Sequence, residues 1–208
     1  MDTKLRPELK PVGILDLKPT QITVGLREVG ARRRRWRWRK RSDKDTAKFL
    51  GRHMIPVILG PQGRPYLIDN HHLARALYEA GIKKVLTLIV ADLSRLDTDA
   101  FWFVMENRGW AHPYDGRGRR RPHEALPTTV KGLRDDPFRS LAGELRRAGG
   151  YAKETVPFTE FLRADFLRRR VKRKLVENDF PRALKEALKL ARSEMADYLP
   201  GWCGAVSD

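Results

Sequence analysis

The chain has 208 residues, or about one domain at roughly 150 residues each, and its 41% hydrophobic content is enough for a buried core. The single cysteine excludes an intramolecular disulfide, no apolar run reaches the ~20 residues that a bilayer requires, and the first residues lack an apolar signal region. With 43 Lys and Arg against 26 Asp and Glu, a formal charge of +17, we expect a soluble, cytoplasmic, strongly basic protein with no membrane partner.

The first half of the chain alternates short apolar runs with turn residues and one clear helical pattern. Apolar residues at a spacing of two, or in dense runs, are typical of strands, and a spacing of three to four is typical of helices. The predicted elements are strands at 12–17, 55–59, 65–68 and 85–90, two short helices within 27–54, a turn at 60–63, and a helix from about Asp69 to Gly81.

The second half of the chain is helical by periodicity. Asp97 and the pair Asp136-Pro137 are typical helix starts. The predicted helices cover 97–109, 136–150, 155–177 and 181–198, with a long Arg/Gly/Pro-rich connection over 110–133. The sequence therefore predicts an α/β (α+β) fold, with a small α/β domain over 11–95 followed by a helical domain over 96–208.

Arginine is concentrated in three clusters, which favours a polyanionic partner because guanidinium groups match phosphate oxygens. The largest cluster contains Trp36 and Trp38, whose rings could stack on bases; the alternative is a solvated face anchored by two tryptophans. Smaller clusters occupy 117–121 and 168–174. The residues that we predict to bind DNA or RNA are Arg32, Arg33, Arg34, Arg35, Arg37 and Arg39.

The sharpest local signal is a strand that leads directly into Asp69-Asn70-His71-His72 at a helix start. Unpaired backbone N–H groups and the positive end of the helix dipole favour anions there. We expect either Asp69 or Asn70 to be the N-cap, the two imidazoles to contact phosphate or move a proton, and Arg75 to add a charged contact. The alternative is an ordinary capped helix with two polar first-turn residues.

A second candidate is Glu28, which could act as a general base if the fold brings it beside this helix start. The alternative is a surface glutamate paired with Arg32 at a spacing of four. Adjacent histidines rarely bind one metal ion together, and no further Cys/His cluster is present in the sequence, so we predict no protein metal site.

The chain resembles the ParB/sulfiredoxin superfamily, and specifically the bacterial family described as putative ParB-like nucleases, over about residues 18–204. The segments that carry the resemblance are Pro19-Thr20-Gln21 through Arg27-Glu28-Val29, Gly60-Pro61 through Tyr66 to Ala76, Asn107 to Tyr114, Gly149 to Lys153 through Pro157 to Phe161, and Leu199 to Gly204.

The resemblance implies that residues 11–95 form a small mixed-sheet α/β domain that binds phosphate or nucleotide, with a helix N-terminus that holds the nucleotide phosphates. The segment is similar to the Asp-Gly-His-His-Arg motif of free-serine kinases in the superfamily, which binds adenine nucleotides; partition ParB proteins have Gly-Glu-Arg-Arg there and bind CTP. Asp69, His71 and His72 match the kinase motif, whereas Asn70 replaces Gly and Leu73 replaces Arg. His71 occupies the position of the reactive sulfiredoxin cysteine, which excludes sulfinic-acid repair.

Two functions follow as hypotheses. In the first, which we favour, the protein binds ATP or another nucleoside triphosphate with Mg²⁺ and transfers a phosphoryl group to water or a small hydroxyl acceptor. Glu28, His71 and His72 are then the predicted catalytic residues, and the predicted nucleotide-binding residues are Asp69, Asn70, His71, His72 and Arg75. In the second, the protein is a nuclease or a non-catalytic nucleic-acid binder that uses the arginine-rich segment. A partition-type DNA clamp is disfavoured because the last helix does not have the character of a recognition helix.

Overall fold

The computed structural model describes residues 9–39, 42–155 and 158–204, and these form a mixed sheet with helices packed around it. The fold class is the predicted α/β arrangement. The strands are β1 (Leu9–Gly13), β2 (Lys18–Pro19), β3 (Thr23–Val24), β4 (Ile55–Gly60), β5 (Arg64–Leu67), β6 (Lys84–Asp92) and β7 (Arg134–Asp135). The helices are α1 (Leu26–Arg39), α2 (Asp43–Arg52), α3 (His71–Glu79), α4 (Thr98–Asn107), α5 (Pro137–Arg147), α6 (Thr159–Arg168), α7 (Arg173–Asn178) and α8 (Phe180–Ala191).

Five strands form the main sheet in the order β1-β6-β4-β5-β2. The central β4 pairs parallel with β6 and antiparallel with β5, while β1 closes one edge antiparallel to β6 and β2 lies parallel to β5 at the other edge. β3 and β7 form a separate two-stranded parallel ladder. Because β5 runs straight into α3, the sheet positions the helix start that the sequence singled out.

Most of the locally encoded elements lie where the sequence predicts them. The basic segment is two helices, α1 and α2, and the side chains of Asp97 and Asp136 accept hydrogen bonds from the first turns of α4 and α5. The first strand differs from the prediction over 12–17. β1 ends at Gly13, and the N–H of Asp16 bonds back to the carbonyl of Gly13 in a turn that buries Ile14 and Leu17 outside the ladder.

The predicted single helix over 155–177 is wrong. α6 ends at Arg168, and α7 begins at Arg173 after a turn that buries Val171. A straight helix of that length would extend about 35 Å at 1.5 Å per residue, about twice the length of the 11-residue α5 on which α6 packs. The turn lets both Val171 and Val176 reach the core of the helical half.

Three groups of buried side chains form the core. One lies between the sheet and the helices α1 and α3, one lies where α4 packs on the sheet, and one joins α5 to α8. The rings of Phe101 in α4 and Tyr66 in β5 are 4.6 Å apart, and Val130 packs beneath α3. The predicted division into 11–95 and 96–208 stays a prediction, and these core contacts cross it.

Candidate functional site

The start of α3 has an unusual backbone conformation. Its N-cap is Asn70, which has φ 63° and ψ 26°, in the left-handed region, and which makes no side-chain capping bond. Its N–H donates instead to Oδ1 of Asp69 at 2.6 Å. Asparagine tolerates this region better than other non-glycine residues. This explains how Asn70 can stand where the similar Asp-Gly-His-His-Arg motif has glycine.

The two imidazoles at the start of α3 point into the protein rather than out of it. His71 is 2% exposed and its Nε2 accepts from the backbone N–H of Thr20 at 3.2 Å, while His72 is 9% exposed and its Nε2 accepts from the N–H of Gly25 at 2.9 Å. Both Nε2 atoms are therefore unprotonated and occupied, contrary to the expectation of open imidazoles that donate to phosphate.

Burial keeps both of these histidines neutral. Burial lowers the pKa of His71 well below its ordinary value, helped by the charges of His72 and Arg139. Burial lowers the pKa of His72 to about 3, although Glu28 works against the shift. In this arrangement the two rings connect α3 to the backbone before α1, and their predicted contact with nucleotide stays a prediction.

The fold does bring Glu28 beside the start of α3. Glu28 is 7% exposed, and its Oε2 lies 3.8 Å from Nε2 of His72. Its Oε1 accepts two hydrogen bonds from Arg32, at 3.0 and 2.9 Å, so the expected pair at a spacing of four is also present. Burial raises the pKa of Glu28, but His72 and Arg32 more than offset this, so its pKa lies below the ordinary value.

Arg75, which we expect to add a charged contact to a bound phosphate, is bonded within the protein. Its Nη1 donates to the carbonyls of Lys131 and Leu133, both at 2.7 Å, and its Nε pairs with Glu79 at 2.9 Å. Three carbonyls of the turn over 130–133 approach this one guanidinium. Arg75 therefore holds that turn against α3, and its predicted contact with phosphate stays a prediction.

The arginine-rich segment on α1 is only partly free to bind a polyanion. Arg32 is paired with Glu28 and Arg33 with Glu79, whereas Arg34 and Arg35 are exposed. The side chains of Arg37, Trp38 and Arg39, together with residues 40 and 41, lie outside what the structure describes. Trp36 is 5% exposed and packs edge-on against Phe49 at 4.7 Å, so it is a core residue and not a stacking platform.

A cavity of about 340 Å³ opens directly beside the residue that precedes α3's cap. We call it the arginine cavity. It lies between the end of β5 and the helices α5 and α6, and its walls include the carboxylate of Asp69. The residues that line it are Gln21, Ile68, Asp69, Gly109, Arg139, Arg146, Tyr151, Lys153, Glu154, Phe158, Thr159, Glu160 and Phe161.

Arg139 is the unusual group in this cavity. It is 4% exposed, and its Nε and Nη1 are buried with no hydrogen-bond partner in the described part of the chain. Its guanidinium lies 3.4 Å over the ring of Phe161, and its Nη2 is 3.9 Å from Glu160. Burial lowers the pKa of Arg139, partly offset by Glu160 and Asp136.

Two other polar side chains that line the arginine cavity, those of Arg146 and Tyr151, have partners within the protein. Arg146 forms an ion pair with Glu160 at 2.5 Å, and the hydroxyl of Tyr151 donates to the carbonyl of Ala142 at 3.1 Å. Burial raises the pKa of Tyr151 to about 12, so it is a neutral donor. Lys153 is exposed at the rim, which leaves Arg139 as the buried cation whose donors are unused.

A second, smaller cavity of about 220 Å³ lies on the other side of Phe161. His112 lines it and stacks on Tyr114 at 4.3 Å between ring centroids. Burial, with the nearby charges of Arg139 and Arg168, lowers the pKa of His112 to about 3. His112 is therefore a neutral ring at the wall of a cavity.

Sequence reasoning did not identify Arg139, Phe161 or His112 as members of one site. Arg139 follows buried Phe138 on the strongly amphipathic α5, and a charged residue beside an apolar stripe is the weak signal that was available. In the described residues, no three His, Cys, Asp or Glu side chains cluster as metal ligands would. Across the same residues, no helix is both long and apolar enough to traverse a bilayer.

Comparison with known proteins gives a matching family and similar solved structures. The model of a protein family described as "putative ParB-like nuclease" matches residues 10–169. The crystal structure of protein Atu1540 from Agrobacterium tumefaciens is similar at a TM-score of 0.90, with 50% sequence identity over 97% of this chain and 100% of that chain. No curated protein matches the sequence.

Proposed function

The chain belongs to the family described as putative ParB-like nucleases, and we propose that it binds a nucleoside triphosphate through its phosphates in the arginine cavity. ATP is the nucleotide we favour, carried with Mg²⁺, and the proposed reaction is phosphoryl transfer to water or to a small hydroxyl acceptor.

The observation that carries this proposal is the unused donors of Arg139. A buried charged group without partners costs several kcal/mol unless something compensates it, and native proteins rarely leave such donors unsatisfied. Nε and Nη1 of Arg139 are both buried and unpartnered, and the residue lines a cavity large enough for a ligand. A phosphate group supplies the acceptor oxygens that a guanidinium fork matches.

The surroundings of Arg139 suit a phosphate that is accompanied by a cation. Arg146 and Lys153 add two cations to the same cavity, and the carboxylates of Asp69, Glu154 and Glu160 balance the three positive charges. Asp69 lies at the start of the nine-residue α3, where the first-turn N–H groups have no partner within the helix and the dipole favours an anion. The rings of Phe158 and Phe161 line the same space and provide an apolar surface for a base or sugar.

Asp69 is the residue that fits a nucleotide-bound Mg²⁺. Magnesium is usually held by one or two protein carboxylates together with the substrate's phosphates. Asp69 lines the arginine cavity and is exposed, with one oxygen accepting from the N–H of Asn70. The metal would neutralise developing charge on the phosphates.

Glu28, His71 and His72 are positioning residues in this proposal. None of the three lines the arginine cavity, and both imidazoles accept hydrogen bonds from backbone N–H groups. Thr20, which His71 holds, is followed by Gln21, and Gln21 is itself a wall of the cavity. The polar cluster therefore sets the position of one wall of the proposed nucleotide site.

The test is a thermal-shift panel of ATP, GTP, CTP, ADP and inorganic phosphate with Mg²⁺, followed by analysis of the products. A ligand at 100 times its Kd adds about 2.7 kcal/mol, or about 5 to 10 °C for a chain of this size. Arg139→Met keeps an apolar chain over Phe161 and should lose the shift, whereas Arg147→Met, on the exposed face of the same helix, should keep it. No shift with any of these ligands, or an equal shift in Arg139→Met, would overturn the proposal.

A further inference from the structure

Three cavities follow one another along α6 and share walls. Phe161 lines both the arginine cavity and the second cavity of about 220 Å³. Arg168, at the other end of α6, lines the second cavity and a third, open cavity of about 550 Å³. The third cavity is lined by Gly116, Arg117, Phe138, Arg168 and Arg173. We call the three together the α6 groove.

The third cavity joins two basic clusters that are far apart in the sequence. Arg117 comes from the cluster at 117–121, and Arg173 comes from the cluster at 168–174. The loop that carries Arg117 is fixed by Asp115, whose Oδ1 accepts from the N–H groups of Arg117 and Arg119 at 2.9 and 3.0 Å. These two clusters therefore face one groove, which sequence spacing alone did not indicate.

The loop is packed tightly on α6 at Gly118. Its φ is +74°, and a Cβ at this position would lie 2.8 Å from both Nη1 of Arg168 and Oδ1 of Asp165. Arg168 is in turn bonded to Asp136 and Asp165. The geometry of the groove is thus set by contacts that leave other cations of the clusters unused.

The cations at the open end of the groove outnumber the carboxylates. Seven Arg and Lys residues line the three cavities against four Asp and Glu. None of the four carboxylates belongs to the third cavity. Arg173 forms an ion pair with Glu177 at 2.8 Å on the exposed surface of α7, where such a pair contributes little. Arg117, Arg119, Lys172 and Lys174 are exposed, and their side chains have no ion-pair partner within the described ranges. This end of the groove carries the net positive charge.

Aromatic rings lie between the cations. His112, Tyr114 and Phe161 all line the second cavity, and the rings of His112 and Phe161 are 3.8 Å apart. A charged imidazole would repel neighbouring arginines, but His112 is neutral. Aromatic rings and cations that line one groove are typical of sites for single strands, since every base has a face that can stack on an aromatic ring.

We propose that the α6 groove binds single-stranded nucleic acid, with backbone phosphates at Arg117 and Arg173 and bases against the rings of the second cavity. The inference rests on the proposed function at one end, where a terminal phosphate would reach Arg139. A single strand fits better than a duplex because bases inside a duplex are stacked and cannot enter a cavity of about 220 Å³.

The test is fluorescence anisotropy with a labelled 12-nucleotide single strand, of DNA and of RNA, at 50 and 200 mM salt. With three or four phosphate contacts, Kd should rise about 20- to 50-fold between these salt concentrations. Arg117→Ala/Arg173→Ala should weaken binding at low salt at least about 10-fold and lower the salt slope by about 1.4. Arg34→Ala/Arg35→Ala removes two exposed arginines from α1, the segment that the sequence predicts to bind nucleic acid, and so compares the two basic surfaces. If the groove is the binding site, this variant should change Kd less than about 2-fold.

Three outcomes would contradict binding of a single strand in the groove. They are tighter binding of a duplex than of the single strand, a larger loss of affinity in Arg34→Ala/Arg35→Ala than in Arg117→Ala/Arg173→Ala, and competition by poly-glutamate that equals competition by unlabelled single strand. The two proposals fail separately. The Arg117/Arg173 variant should keep the thermal shift with a mononucleotide, which depends on Arg139, while it loses the labelled strand. If a mononucleotide raises the melting temperature but the labelled strand does not bind, only the proposal for the groove is contradicted. If the strand binds but no mononucleotide raises the melting temperature, only the proposal for the nucleotide site is contradicted.

Discussion

The Nε2 atom of His72 accepts a hydrogen bond from the backbone N–H of Gly25 at 2.9 Å, and this bond joins the first turn of α3 to the segment that enters α1. Glu28 lies 3.8 Å from the same nitrogen. The ring is therefore a buried connection between two parts of the chain that are 47 residues apart. Its first effect is on the stability of the fold.

Replacement of His72 by alanine should destabilise the protein by about 2–4 kcal/mol, because it leaves the N–H of Gly25 buried without an acceptor and also creates a cavity. Urea denaturation measures the change. The exposed His53 is the control, and His53→Ala should change the free energy of unfolding by less than about 1 kcal/mol. A His72→Ala protein of unchanged stability that no longer responds to nucleotide would instead place the imidazole in contact with the ligand.

Stability should fall as the pH drops from 7 to 5, because the buried His71 and His72 and the half-buried His112 are neutral in the folded state. The pKa values of His72 and His112 are lowered to about 3 by burial, and that of His71 is lowered in the same direction. Below the ordinary pKa of about 6.5 the unfolded chain binds protons that the folded chain does not, so each group contributes a slope of about 1.4 kcal/mol per pH unit. Urea titrations at several pH values give this slope.

His112→Phe isolates one of these contributions, because phenylalanine keeps the stacking surface and cannot titrate. The variant should lose about one third of the histidine-dependent slope between pH 5 and 6. An unchanged slope would mean that His112 is protonated in the folded protein, which would contradict its placement between Tyr114 and Phe161.

The left-handed backbone at Asn70 predicts a clear order of substitutions. Asn70→Ala should lose about 1 kcal/mol, because a residue with a Cβ is disfavoured at φ 63°, whereas Asn70→Gly should be neutral or slightly stabilising. Gln62 also has φ 63° and is exposed, so Gln62→Gly should raise stability by up to about 1 kcal/mol. Equal stability of the Ala and Gly variants at position 70 would contradict this conformation.

Gly25 is required by a close approach rather than by its own backbone angles. An added Cβ would lie 2.5 Å from Oγ of Ser140 and 2.7 Å from its backbone N, and the backbone atom cannot move away cheaply. Gly25→Ala should therefore destabilise the protein by about 1–3 kcal/mol.

Gly51 lies in the exposed part of α2 with open space around it, so Gly51→Ala should stabilise the protein by about 0.5–1 kcal/mol. Thermal denaturation of the pair separates the two effects.

The sequence predicted those elements whose causes are local. β4, the turn at 61–63, β5 and α3 depend on neighbouring apolar runs and turn residues, and Asp97 and Asp136 cap their helices through bonds within three residues. The break between α6 and α7 was not predictable in this way, because it depends on where α5 ends and on which side chains the core accepts.

In the candidate site, too, the sequence predicted what depends on local causes and not what depends on tertiary contacts. Proximity of Glu28 to the start of α3 was a stated condition, and the fold meets it. Nothing local revealed that His71 and His72 would bind backbone N–H groups more than 45 residues away, or that Arg75 would hold the turn at 130–133. Arg139 reaches its cavity through the packing of α5 against α6, which is a tertiary contact.

Two buried arginines allow a final prediction, because one is used by the fold and the other is not. Nη2 of Arg163 donates to the carbonyls of Leu199 and Pro200, at 3.3 and 2.8 Å, and so holds the last described segment in place. Nε and Nη1 are buried and unpartnered in both arginines, so the difference lies at Nη2, which in Arg139 is 3.9 Å from Glu160. Glu160 keeps its ion pair with Arg146 when Arg139 is removed.

Arg163→Met should therefore lose about 2–4 kcal/mol of unfolding free energy, since two carbonyls lose a charged donor. Arg139→Met removes a buried charge that has poor compensation and keeps a chain over Phe161, so it should be neutral or more stable without ligand. Urea denaturation of both variants, without ligand, makes the comparison. A gain in stability together with the loss of a ligand response is typical of a residue that is retained for binding. A loss in Arg139→Met as large as that in Arg163→Met would make Arg139 a structural residue.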